Sequence, residues 1–171
     1  MVDGKIKRRR AEGKIANLEA LIDKKPLRGS IGIGHTRWAT HGLPTKANAH
    51  PHSDGRTVLV HNGIIENFQE LRQELSKSGH KFSTETDTEA VVHLISSFLA
   101  EGRAPAEAVA ASLKRLEGAF ALAILFAGHD DMMIAARRGS PLAIGYGDGV
   151  MYVGSDALAL APLTEKISYL E

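Results

Sequence analysis

Three helix-like segments, Glu66–Ser76, Thr88–Leu99 and Ala106–Leu116, stand together in the middle of this chain, with strand-like segments on both sides. Each is closed by a glycine (Gly79, Gly102 or Gly118), the usual end of a helix. Before the block, Ser30–Trp38 and Thr57–His61 read as short strands, the first breaking into a Gly42-Leu-Pro44 loop. After Gly118 the style changes. Ala119–Phe126, Met132–Ala136, Leu142–Tyr146 and Val150–Gly154 are short apolar runs separated by Gly, Asp and Ser turns, as in an antiparallel meander. A short helix near Leu158–Leu163 and a strand at Lys166–Leu170 follow. Nearer the start, Ala11–Lys24 sets Ile15, Leu18, Leu21 and Ile22 on one helical face, and Pro26 stops it. Such an order does not alternate as βαβ units do. It favours an α+β fold with antiparallel sheets over a doubly wound parallel sheet.

Length and composition set wide limits. A chain of 171 residues fits one domain, and 43% hydrophobic residues suffice for a sizeable core. A formal net charge of +1 argues against a polyanion-binding surface. The one basic cluster, Lys5 to Lys14, has no aromatic residues interleaved for stacking and reads as a solvated strand edge and helix start, not a nucleic-acid site. The chain contains no cysteine, so there are no disulfides and no sign of an oxidising compartment. Neither a signal peptide nor a membrane-length apolar run is present, and the expectation is a soluble cytoplasmic protein.

The chemistry is concentrated in a few short stretches. His35-Thr-Arg-Trp-Ala-Thr-His-Gly42 brings an Arg, a Trp, two Thr and two His into one loop. Asn62-Gly63 follows a strand, and Asp87 lies within Glu85-Thr-Asp-Thr-Glu89. Together they offer a cation for a carboxylate, an anion for an ammonium, and an amide donor beside a glycine N–H. That set suits an amino acid bearing a side-chain amide. What is missing is an attacking atom, since no Ser lies in a nucleophile motif either. Each residue also has a plainer reading. Arg37 alone is a surface charge, Trp38 a core or interface residue, Asn62-Gly63 a hairpin turn, and Asp87 a helix N-cap. His35, His41, His50, His52 and His61 crowd together without any compact zinc pattern, and they read as loop-orienting residues, not metal ligands.

The wording of these stretches carries a resemblance. HTRWATHG, NAHPH (Asn48 to His52), HNGIIEN (His61 to Asn67), ETDTE and RRGSPLAIG (Arg137 to Gly145) occur in order. Together they resemble the glutaminase domain of glucosamine-6-phosphate synthases, class II glutamine amidotransferases. The likeness runs from about Lys5 to Glu171. It implies a single glutaminase domain over residues 1–171 with the four-layer αββα sandwich of N-terminal-nucleophile hydrolases. Arg37 would hold the α-carboxylate of glutamine, with Thr40 and His41 lining the same pocket. Trp38 would lie near the exit route of ammonia. Asn62 and Gly63 would form the oxyanion hole, and Asp87 would take the substrate ammonium. No cofactor and no metal are implied.

In that family an N-terminal Cys thiolate attacks the glutamine amide, with its own α-amino group as base. The ammonia released passes to sugar-phosphate isomerase domains that convert fructose 6-phosphate to glucosamine 6-phosphate. The family domain opens with a Cys-Gly-Ile-Val-Gly-type strand and a helix, whereas this chain opens at Met1-Val-Asp-Gly. The expectation is therefore a domain lacking its first strand and helix, with a vacant place in one sheet, without the isomerase domains and inactive alone. Two alternatives stay open: a glutamine- or glutamate-binding module without turnover, and an amidohydrolase using a histidine-bound metal. The partners expected are glutamine or glutamate and the isomerase domains. Nucleic acid and membranes are not expected, and an exposed sheet edge would offer a route to homo-oligomers.

Overall fold

A computed structural model describes residues 1–36 and 45–170. Four strands form the first sheet in the order β1 (His52–Ser53), β2 (Thr57–Gly63), β3 (Phe120–Phe126) and β4 (Met133–Arg138), all antiparallel. Three more form a second antiparallel sheet, with β5 (Ala143–Tyr146) between β6 (Met151–Gly154) and β7 (Lys166–Tyr169). The helices are α1 (Ile15–Lys24), α2 (Phe68–Lys77), α3 (Asp87–Ala100), α4 (Pro105–Leu113) and the short α5 (Ala157–Leu160). The expected α+β class with antiparallel sheets is what forms.

The period-2 alternation of β2 and β3 decides what each face of the first sheet meets. Leu59, Phe120, Leu122, Ile124 and Phe126 are buried in one cluster with Leu71 and Leu75 of α2, Val91, Leu94 and Ile95 of α3, and Val109 of α4. Each such side chain contributes roughly 1.5–3 kcal/mol on burial, so this helix–sheet layer is the main core. On the opposite face, Val60, Asn62, Ala121 and Ala123 look across a cavity of about 450 Å³ toward Tyr152, Val153 and Leu160 of the second sheet and α5.

Helices α2, α3 and α4 lie close to where their apolar periodicity puts them, and Gly79 and Gly102 follow α2 and α3 with φ of 92° and 88°. The last of the three ends earlier than expected, at Leu113 instead of Leu116. Three expectations fail. The segment expected as the strand Ser30–Trp38 has no ladder over its described residues, although Ile31 and Ile33 pack against Met1, Val58 and Leu125. Apolar alternation gave it a side to bury, but pairing needs a neighbouring backbone in register. The expected single meander is in fact divided: β3 and β4 finish the first sheet, and β5 to β7 build the second.

The basic cluster is the third. Only its strand edge fails: Lys5, Lys7, Arg8 and Lys14 are exposed and the stretch leads into α1 as expected, but no strand of either sheet forms there, and its arginines act as loop ties. Arg8 donates to Pro51 O, Arg9 to Lys25 O, and Arg10 to both Ala47 O and Ala49 O. A guanidinium carries several donors in a rigid fork, which lets one side chain collect carbonyls from a distant loop. Arg10 is partly buried in doing so; burial, and then the neighbouring Arg8, lower its pKa. Arg137 works in the same way near the second sheet, donating to Ser140 O, Gly139 O and Leu170 O.

Candidate functional site

Asn62 and Gly63 close β2, and although Asn-Gly is a common hairpin turn, the Ile-Ile-Glu-Asn and helix that follow already weaken that reading in the sequence. They turn no hairpin. Strand β2 pairs with β3, far along the chain, out to Gly63 opposite Phe120, and the chain then leaves toward α2. Gly63 has φ of +130°, and a Cβ there would lie 2.1 Å from Ala119 O. Only glycine fits so close an approach. The next N–H, of Ile64, donates to that same carbonyl at 2.8 Å. Asn62 is left exposed on the cavity face of the sheet, beside Thr36 and Ala121.

Asp87 lies on the other side of β2. It is 3% exposed and is the first residue of α3, not the residue before it. Its Oδ2 accepts the Ile65 N–H at 2.9 Å and its Oδ1 accepts the Thr88 N–H at 2.9 Å. The helix N-terminus favours a negative group at this place. His61 Nδ1 is 3.7 Å from Asp87 Oδ2. Ile65 is only two residues beyond Gly63, so the strand end that carries Asn62 and the helix start that carries Asp87 are directly tied. Arg37, Trp38, Thr40 and His41 lie outside the described residues.

Around Asp87 is a shell of polar side chains drawn from the histidines and motif segments noted in the sequence. The His50 and His61 rings both reach the Thr88 hydroxyl, at 3.0 and 3.2 Å. His52 Nε2 is 3.3 Å from Thr86 Oγ1, which in turn meets Thr84 Oγ1 at 2.9 Å. The His35 and His50 rings meet at a tilt, with centroids 4.2 Å apart. Asn48 binds Glu85 twice, accepting its N–H and donating to its carboxylate. These contacts tie the rings of His35, His50, His52 and His61 to one another or to the threonines at the start of α3, and His41 lies outside the described residues. Among the described residues, no set of three or more His, Cys, Asp or Glu is arranged to hold a metal ion.

Glu89 anchors the loop that leads into α3. It accepts the N–H and hydroxyl of Ser83 and the N–H and hydroxyl of Thr84, at 2.7 to 2.8 Å. His93, one turn along the helix, is 3.7 Å from it. Burial acts to raise the Glu89 pKa, but His93 and these donors overcome it and hold the carboxyl well below the usual range. His52 is shifted down to about 4, first by burial and then by the nearby Arg10, against an opposing pull from Glu89. Glu89 and His52 lie in stretches the sequence marks, but Ser83, Thr84 and His93 carry no motif and are found only through their contacts with Glu89.

A family model described as a glutamine amidotransferase domain matches residues 35–162. The chain belongs to that family. This glutamine amidotransferase domain is 63% identical over 166 residues to the glutamine–fructose-6-phosphate aminotransferase (isomerizing) of Bradyrhizobium diazoefficiens, covering 97% of this chain and 27% of that protein. It is also 63% identical over 169 residues to the enzyme of the same name from Zymomonas mobilis, covering 99% of this chain and 28% of that protein. The chain thus spans little more than a quarter of the length of these relatives. Among solved structures it resembles the glutamine phosphoribosylpyrophosphate amidotransferase of B. subtilis complexed with ADP and GMP, with a TM-score of 0.64, 30% identity, and coverage of 80% of this chain and 29% of that one. A structure described as the allosteric regulatory enzyme of purine biosynthesis gives a TM-score of 0.66 at 30% identity, covering 80% of this chain and 30% of that one. The amidotransferase fold is accordingly the αββα sandwich of N-terminal-nucleophile hydrolases. No helix among the described residues is long and apolar enough to cross a membrane.

Proposed function

We propose that this chain is a single glutaminase domain, the glutamine-binding half of an enzyme that makes glucosamine 6-phosphate from fructose 6-phosphate and glutamine. The observation that carries the reading is the end of β2. There Asn62 stands exposed over a cavity, next to a Gly63 whose geometry admits no side chain. Cleaving an amide puts negative charge on its carbonyl oxygen, and each preorganised donor aimed at that oxygen is worth about 3–4 kcal/mol. The Asn62 amide and the Gly63 N–H are assigned that role. The Arg37 guanidinium is assigned the α-carboxylate, which its planar fork can grip with two parallel bonds. Thr40 and His41 line the same end, and Trp38 borders the way out for ammonia. Asp87, fixed by two backbone N–H groups, takes the ammonium. Sugar-phosphate isomerase domains are the partners that would use the ammonia.

The chain has no thiol, so these residues bind and stabilise but do not attack. That same fact favours a second reading, a glutamine- or glutamate-binding module without turnover. Titrating glutamine and glutamate into isotopically labelled protein tests the shared claim. The amide signals of Asn62, Gly63 and Ile65 should shift together and saturate, and a flat response would remove both readings. For the sugar product, the longer protein carrying this segment is assayed with fructose 6-phosphate and glutamine. Glutamine hydrolysis without glucosamine 6-phosphate would assign the ammonia to another acceptor.

A further inference from the structure

The Thr88 side chain is fully buried, and its hydroxyl meets polar groups from three segments. His50 Nε2 is at 3.0 Å, His61 Nδ1 at 3.2 Å and Asp87 Oδ1 at 3.4 Å. A hydroxyl has one hydrogen to give and two lone pairs to receive. The Asp87 carboxylate already accepts the N–H groups of Ile65 and Thr88, so it faces this cluster as an acceptor. The hydroxyl hydrogen therefore goes to Asp87, and the two lone pairs are left for ring N–H groups of His50 and His61. His61 Nδ1 also faces Asp87 Oδ2 at 3.7 Å, where an N–H is attracted and a lone pair repelled.

We infer that Thr88 is a positioning residue of the glutamine site, holding His61 as its Nδ1–H tautomer and His50 as its Nε2–H tautomer. In this way it locks the start of α3, with Asp87, onto the end of β2, with Asn62 and Gly63. The link to ligand binding rests on the glutamine reading above; the tautomer assignment rests on the contacts at Thr88 and Asp87. The competing arrangement turns the hydroxyl hydrogen toward His61 Nδ1. That ring would then carry its proton on Nε2, and Asp87 Oδ1 would face an oxygen lone pair.

Nitrogen-15 long-range spectra of the histidine rings at about pH 8, where an ordinary imidazole is neutral, distinguish the two. Parent protein should show His61 protonated on Nδ1 and His50 on Nε2. Thr88→Ser should keep both, and Thr88→Val should lose at least the His61 form. In glutamate titrations, Thr88→Val should bind roughly tenfold more weakly and Thr88→Ser within about twofold of the parent, as expected for a lost hydrogen-bond network. A parent His61 protonated on Nε2 overturns the inference. So does a folded Thr88→Val protein with the parent's tautomers, or one with the parent's glutamate affinity. Should Thr88→Val not fold, the parent and Thr88→Ser measurements decide the same point. A parent that binds neither amino acid removes the glutamine reading and Thr88's part in it, while the ring spectra still decide its hold on His61.

Discussion

The backbone N–H of Ile65 donates to Asp87 Oδ2 across 2.9 Å, in a place where Asp87 is 3% exposed. One carboxylate therefore anchors the helix start to the strand end, and under the proposed function the same group takes the substrate ammonium. Asp87→Asn separates the two roles. Its oxygen can still accept one N–H, but its NH2 faces the other, so stability should drop by about 1–3 kcal/mol. Asp87→Ala leaves the N–H groups of both Ile65 and Thr88 without their acceptor, and should drop further. Urea unfolding reads these losses. An Asn variant as stable as the parent would show that the two N–H bonds do not hold the helix start.

Arg37→Ala gives the complementary result. The change should weaken glutamate or glutamine binding by roughly 10- to 150-fold, the effect of losing a charge-assisted hydrogen bond. Calorimetry checks it. A variant that binds like the parent would mean that the carboxylate is held elsewhere and that HTRWATHG has been given the wrong role.

Gly63→Ala and Gly79→Ala should differ sharply. Both glycines have positive φ, which costs an L-residue roughly 1–2 kcal/mol. At Gly79 nothing lies within 4 Å of an added Cβ, so that cost is the whole effect. At Gly63 the Cβ would also meet Ala119 O at 2.1 Å, forcing β2 and β3 apart. Gly63→Ala should therefore unfold at distinctly lower urea than Gly79→Ala. Equal midpoints would show that the strand end is not tightly set.

How much of this was legible depends on how local the signal was. Helices α2 to α4 and strands β3 to β7 announce themselves because apolar period and terminal glycines lie within each segment. The stretch 30–36 does not, since its alternation is real but ladder formation depends on a distant backbone. Nor does the Gly139-Ser140-Pro141 turn say that β5 will join a different sheet from β4. At the site, Asn62, Gly63 and Asp87 are visible as motif residues. Thr88 and Glu89 sit in the same motif and read as an ordinary helix start. Their importance lies in His50, His61, Ser83 and Thr84, which only the fold brings to them.

No glutaminase turnover is expected from this chain alone, because the sequence contains no thiol to form a thiolate. Purified protein is incubated with glutamine, and glutamate and ammonia are measured. Sustained turnover that follows the protein through purification would require a different nucleophile and would overturn the role assignments. Activity abolished by metal removal would point to the histidine–metal reading.

Stability should fall as the solution is acidified, in two stages. The His52 pKa is about 4 in the folded protein against 6.5 ordinarily. Between those values the unfolded chain binds more protons than the folded one, so stability declines as pH drops from 6.5 toward 4. At roughly 1.4 kcal/mol per pH unit the loss approaches about 3 kcal/mol. Glu89 then takes over. Its folded pKa lies well below the ordinary 4.5, so its contribution is complete above that value and is lost on further acidification. Urea midpoints measured from neutral pH down to about 3.5 should fall throughout, since the two groups act in the same direction. His52→Gln should flatten the upper stage; Glu89→Gln should remove the lower stage and, by taking away the charge that pulls the His52 pKa up, extend the upper one to lower pH. A parent curve that stays level between pH 6.5 and 4 would mean that His52 is protonated within the folded protein. The tie from His52 through Thr86 and Thr84 to Glu89 would then not depend on a neutral ring.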